Sequence, residues 1–189
     1  MIESLISLDK KIFLFLNGLN LSWLNPIMDF VSGQFLWFPF IGLSLYFAFK
    51  QLSRKNFYIF ILFLVLVLIL SDTTSSYVLK NLTERLRPCR EQDLKPLIYS
   101  FGQKCGGRFG FVSSHAANSL ALTLFCLRTL KLPKVFFAVF LLLPFLVSYS
   151  RIYLGVHYPG DILGGLLVGT FWSSVYVFFW RNLSTEQDG

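Results

Sequence analysis

The chain has 189 residues, of which 54% are hydrophobic and 14% charged, with 22 phenylalanines and a mean hydropathy of +0.61. A soluble domain of this size has too little interior to hide so much apolar surface, so the composition excludes an ordinary water-soluble protein and makes the bilayer the solvent. The net charge of +7 sits between apolar runs and not on one solvated face, which argues against nucleic acid as a partner and leaves lipid headgroups or a phosphate-bearing substrate.

In chain order, the opening segment LDKKIFLFLNGLNLSWLNPIMDF (8–30) is apolar but broken by Asn17, Gly18, Asn20, Asn25 and Pro26. It predicts an interfacial N-terminal region over 1–32, made of amphipathic helices with Trp23 at headgroup depth; a further span is the alternative. It is no ordinary signal peptide, because Glu3 precedes Lys10 and Lys11 and the apolar stretch is short. Five membrane helices are expected at roughly 33–50, 56–79, 114–130, 134–150 and 160–180, or six if the opening segment spans. The fold class is thus an all-α polytopic membrane bundle forming one domain over 1–189. The short connections KQLSRK (50–55) and RTLKLPK (128–134) each carry three basic residues and no acid, which places them in the cytoplasm and the long polar connection 81–113 outside. In the last span, Gly165 and Gly169 have the spacing that lets two helix backbones approach closely.

Three polar clusters fall at the outward end of these spans. In KNLTERLRP (80–88), a helix continuing to Pro88 would put Lys80 and Arg87 on one stripe, almost two turns apart. Arg85 would then be turned away, toward lipid headgroups or Glu84, and Arg90 and Arg108 also read as headgroup-facing. In VSSHAANS (112–119), Ser113 or Ser114 suits a helix N-cap whose free amides and positive end form an anion site carrying His115. In SRIYLGVHYPGD (150–161), Ser150 and Arg151 close one span and Pro159 opens the next. Asp161, four residues after His157, can accept the Nδ1 proton and leave the Nε2 lone pair free, as for a histidine nucleophile or base.

Three cations, two helix N-termini and two histidines on one membrane face fit phosphoryl transfer, in which charge on phosphate oxygens is stabilised and the leaving oxygen protonated. Two His and one Asp among cations make a poor metal site, so no metal and no cofactor is expected.

The set Lys80, six residues, Arg87-Pro88; Ser113-Ser114-His115; Ser150-Arg151, five residues, His157, three residues, Asp161 resembles the type 2 phosphatidic acid phosphatase superfamily. These are integral-membrane lipid phosphatases related to vanadium haloperoxidases, and the resemblance covers a motif-bearing core of roughly 72–175. It implies that His157 is the nucleophile forming a phosphohistidine, oriented by Asp161, and that His115 is the general acid. Lys80, Arg87 and Arg151 would bind phosphate oxygens, helped by Ser113 and the Ser114 amide. The family's Pro-Ser-Gly-His is here Val112-Ser113-Ser114-His115, an exchange that spares backbone amide donation wherever positive φ is not needed.

The expected function is hydrolysis of a lipid phosphate or diphosphate at the outer face of a bacterial-type inner membrane. Undecaprenyl diphosphate, phosphatidylglycerophosphate and lipid A phosphates are the candidates, with a weak preference for a polyprenyl diphosphate. The alternative is a non-catalytic lipid-phosphate binder or transporter accessory, against which the His157–Asp161 pair argues. In an oxidising compartment Cys89 and Cys105 can form a disulfide that ties the polar loop beside the site, two unpaired thiols being the alternative, while Cys126 falls within a span. Oligomeric state is not legible.

Overall fold

The computed structural model describes residues 2–99 and 105–184, and over them the chain is helical, with one isolated bridge between Leu86 and Phe109. Three short elements come first: α1 (Ile2–Gly18), α2 (Asn25–Ser32) and α3 (Trp37–Gln51). They are followed by α4 (Arg54–Thr83), α5 (Ser114–Thr129), α6 (Lys134–Tyr153) and α7 (Pro159–Ser184).

Helices α4, α6 and α7 are long and apolar enough to cross a membrane, and α2 with α3 adds a fourth candidate as a pair bent by 51°. The protein is an integral membrane protein, with three to four such spans among the described residues. The expected spans at 33–50 and 114–130 correspond to α3 and α5, of 15 and 16 residues. A straight crossing takes about 17–25 residues, and α3 is set off from α2 by Gly33, whose extended conformation ends α2, and by a 3-10 turn over Gln34–Leu36.

Helix α5 lies at the centre, packed by α4, α6 and α7. Its approach to α7 depends on the small residues: a Cβ on Gly165 would stand 2.4 Å from the Ser113 carbonyl oxygen, and one on Gly169 2.3 Å from that of Ala117. Farther along, Phe60 stacks on Phe125 at 5.2 Å and meets Trp180 edge-on at 6.1 Å. These rings pack one end of the bundle, and the polar groups gather at the opposite end.

The opening segment is amphipathic in the expected sense, with Leu5 and Phe15 outward and Phe13 buried. Its asparagines do more than interrupt a span. Asn17 is buried and donates to the carbonyls of Tyr99, Ile152 and Tyr153 while accepting from the Tyr99 amide. Asn25 accepts from the Tyr153 hydroxyl at 2.6 Å. These bonds fasten α1 and α2 to the end of α6, where the site begins.

Two features reshape the first polar cluster. Thr74–Leu79 form a π-helical turn inside α4, and Glu84 adopts the left-handed conformation (φ 47°) that stops the helix after Thr83. The continuous helix expected through Pro88 therefore does not form. Residues 85–87 run as a loop into a 3-10 turn at Pro88–Arg90, fixed by the Leu86–Phe109 bridge and by a Cys89–Cys105 disulfide with a Cα–Cα distance of 6.0 Å.

Candidate active site

The turn between α6 and α7 carries His157, which is almost fully buried, as is Asp161 one helical turn later. The His157 Nδ1 lies 3.2 Å from Asp161 Oδ2, and the same oxygen accepts the Tyr158 amide at 3.0 Å. Nδ1 therefore holds the proton that faces the carboxylate, and Nε2 keeps its lone pair. Burial first, then Arg87, Arg151 and Lys80, keeps the imidazole pKa well below its usual 6.5, so the ring is neutral at physiological pH. Gly110 makes this geometry possible, because a Cβ there would stand 2.9 Å from Asp161 Oδ2.

Arg85 is not turned to headgroups. Its Nη1 donates to Asp161 Oδ1 at 3.0 Å, its Nη2 to Asp9 Oδ2 at 2.6 Å, and its guanidinium lies 4.2 Å over the Tyr158 ring. The helical phasing failed here because α4 ends at Thr83, and a loop can aim both Arg85 and Arg87 inward.

Arg87 is buried, with Nε donating to the Phe109 carbonyl at 3.1 Å. Burial is the main force lowering its pKa from the ordinary arginine range, opposed by Asp161 and reinforced by Arg90. Lys80, half-buried at the end of α4, lies within electrostatic range of Arg87, Arg151 and Asp161. Arg151 contacts the Ser32 hydroxyl on α2, while its buried Nε has no protein partner. A polar cleft of ≈440 Å³ lined by Asp72, Ser76, Lys80, Asn81, Arg87 and Arg108 opens beside these cations.

On the facing side, Ser113 caps α5, its hydroxyl oxygen accepting the Ala116 amide at 3.5 Å. The Ser113 amide is occupied by the Asp161 carbonyl at 2.9 Å. The first free amides of the helix thus start at Ser114. His115 lies within electrostatic range of Arg151, His157, Lys80 and Arg87. The three clusters meet, and Lys80, Arg87, Ser113, Ser114, His115, Arg151, His157 and Asp161 surround one region.

Composition and spacing did not single out Asp9, Ser32 or Gly110. The first two act across long separations in the chain, and a glycine's role is visible only once its neighbour is known. Arg85 was visible but wrongly phased. Among the described residues no group of three or more His, Cys, Asp or Glu side chains is arranged to hold a metal ion.

Cations, a helix N-terminus and a carboxylate-oriented imidazole can bind a phosphate ester and attack it. Residues 58–184 match the family model of the PAP2 superfamily. The chain is 33% identical over 188 residues to a lipid A 4'-phosphatase of Bacteroides thetaiotaomicron, covering 98% of this chain and 83% of that protein. It is 29% identical over 180 residues to an undecaprenyl-diphosphatase of Sulfolobus acidocaldarius, covering 93% and 80% respectively. Its fold matches the crystal structure of a transmembrane PAP2-type phosphatidylglycerolphosphate phosphatase from Bacillus subtilis, with a TM-score of 0.69 at 20% identity over 98% of this chain and 88% of that one. With the motifs gathered at one end of the bundle and the family match spanning most of the chain, the protein belongs to the PAP2 superfamily and is a hydrolase acting on phosphoric ester bonds.

Proposed function

We propose that the chain removes a phosphate from a membrane lipid through a phosphohistidine, without a metal. The observation that carries this reading is the buried His157–Asp161 pair, neutral and oriented, facing Lys80, Arg87 and the unpartnered Nε of Arg151. The His157 Nε2 lone pair attacks phosphorus, and the bond to the leaving oxygen breaks as His115 gives that oxygen a proton. Lys80, Arg87, Arg151, the Ser113 hydroxyl and the Ser114 amide stabilise charge on the phosphate oxygens. His115, now neutral, takes a proton from water as the water attacks the phosphohistidine, releasing inorganic phosphate and restoring His157. Binding alone would not need an oriented imidazole, so the non-catalytic reading loses ground.

The favoured substrate is a lipid A-type phosphate monoester, supported by the Bacteroides thetaiotaomicron relative. The undecaprenyl-diphosphatase relative supports a polyprenyl diphosphate as the second reading. An apolar cavity of ≈300 Å³ lined by Phe145, Tyr149, Ile152, Ile162 and Leu166 is close in sequence to Arg151 and Asp161 and suits a lipid chain. The chain makes five crossings of an inner membrane, with α3 and α5 completing the set, and carries its site on the outer face, as the basic short loops favour.

The test is purified protein in detergent offered lipid A, undecaprenyl diphosphate and phosphatidylglycerophosphate, with released phosphate measured in the presence of EDTA. Release should persist with EDTA and fall at least about a hundredfold in His157→Ala. A chelator-abolished activity restored by one divalent ion, or a His157→Ala protein keeping about a tenth of wild-type turnover, would overturn the mechanism.

A further inference from the structure

Asp161 has two carboxylate oxygens, and the structure gives them different work. Oδ2 faces His157 Nδ1 and the Tyr158 amide, whereas Oδ1 accepts from Arg85 Nη1. The direction of the carboxylate therefore depends on where Arg85 is held. Arg85 has two terminal nitrogens, and the second is engaged by Asp9 Oδ2 from α1. The other Asp9 oxygen accepts the Gly160 amide at 2.8 Å, at the start of α7. Asp9 thus grips both the arginine that holds Asp161 and the backbone beside it. Gly160 leaves room for this, since a Cβ there would stand 2.7 Å from Asp9 Oδ2.

We propose that Asp9 is a positioning residue for the hydrolytic site: the carboxylate on α1 divides the Arg85 guanidinium between two acids and so keeps Asp161 Oδ2 on His157. Without Asp9, Arg85 Nη2 is free to join Nη1 on Asp161. A guanidinium prefers that two-pronged pairing with a carboxylate, and it would draw Oδ2 away from Nδ1. The packing supports the same role for α1, because Phe13 meets Tyr158 edge-on at 5.3 Å and Tyr158 lies under Arg85. This makes the opening helix, which lies outside the residues matched by the family model, part of the site's support as well as an interfacial element.

The inference rests on His157 being the nucleophile. It is tested on the full chain in detergent, using dioctanoyl phosphatidic acid and lipid A as probes, with Asp9→Asn, Asp9→Glu and Arg85→Gln alone and Asp9→Asn combined with Arg85→Gln. Asp9→Asn should lower kcat about ten- to hundredfold, the range typical of a residue orienting a functional ligand, with KM changed less than about threefold. Asp9→Glu should recover part of that loss, and in the Arg85→Gln background Asp9→Asn should have little further effect. A loss in Asp9→Asn that adds in full to that of Arg85→Gln, or that appears in KM alone, would overturn the proposal. A second readout needs no turnover: the Nδ1 proton of His157, assigned by its disappearance in His157→Gln, should shift in the NMR spectrum of Asp9→Asn. If the wild type hydrolyses neither probe, the proposed function fails for those lipids, and an unmoved Nδ1 proton would separately overturn the positioning role.

Discussion

Replacing Arg87 probes the most deeply buried of the cations at the site. Its side chain is buried and lines the polar cleft, and the Nε bond to Phe109 spends one donor to aim the guanidinium. Burial already disfavours its charge, so a phosphate arriving there gains a strong interaction at little reorganisation cost. Losing one preorganised charged donor at a developing phosphoryl charge costs about 2–4 kcal/mol in the transition state, or about 30- to 900-fold in kcat/KM. The Phe109 carbonyl loses a partner in Arg87→Ala, which adds a stability cost of only about 1 kcal/mol. Arg87→Lys keeps the charge but not the planar fork that reaches Phe109 and the phosphate together, and should lose about tenfold or more. Phosphate release from a detergent-dispersed lipid phosphate, normalised to monodisperse protein and followed against substrate concentration, measures all three proteins. Arg87→Lys within about threefold of wild type, with Arg87→Ala within about tenfold, would refute a direct phosphate contact.

Arg85→Ala should lower kcat by at least about tenfold, because Asp161 and Asp9 lose their common partner; wild-type kcat in a folded variant would return Arg85 to the headgroup role. For pH dependence, the folded-state pKa of His157 lies below 6.5, so the unfolded chain takes up a proton there first and the His157 contribution to stability is lost as pH falls below about 6.5. The acid limb of kcat/KM due to His157 should accordingly lie below 6.5 and move upward in Arg87→Ala; a wild-type limb at or above 6.5 assigned to His157 would contradict the burial argument. Reducing the Cys89–Cys105 bond, which closes a separation of 16 residues, should cost about 3 kcal/mol by loosening the unfolded chain's constraint. An impermeant thiol reagent on intact cells should label these cysteines only after reduction, and labelling beforehand would rule the bond out under cellular conditions.

Composition and order alone determined that the chain is helical and lives in a membrane, because apolar runs of these lengths have no other solvent. The histidine–carboxylate spacing in 157–161 was also local: four residues around a helix start put Asp161 beside His157 whatever surrounds them. The Ser113 cap and the close packing at Gly165 and Gly169 were legible for the same reason, each being set by a few neighbouring positions. The path from Lys80 to Arg87 was not. A π turn and a left-handed Glu84 broke the periodicity from which Arg85 had been turned outward. Contacts between Asp9 and Arg85, and between Ser32 and Arg151, join residues 76 and 119 positions apart. Such pairings have no periodic signature. They exist because α1 and α2 fold back over the end of α6, and a partly buried guanidinium then takes whichever oxygen that packing brings within reach.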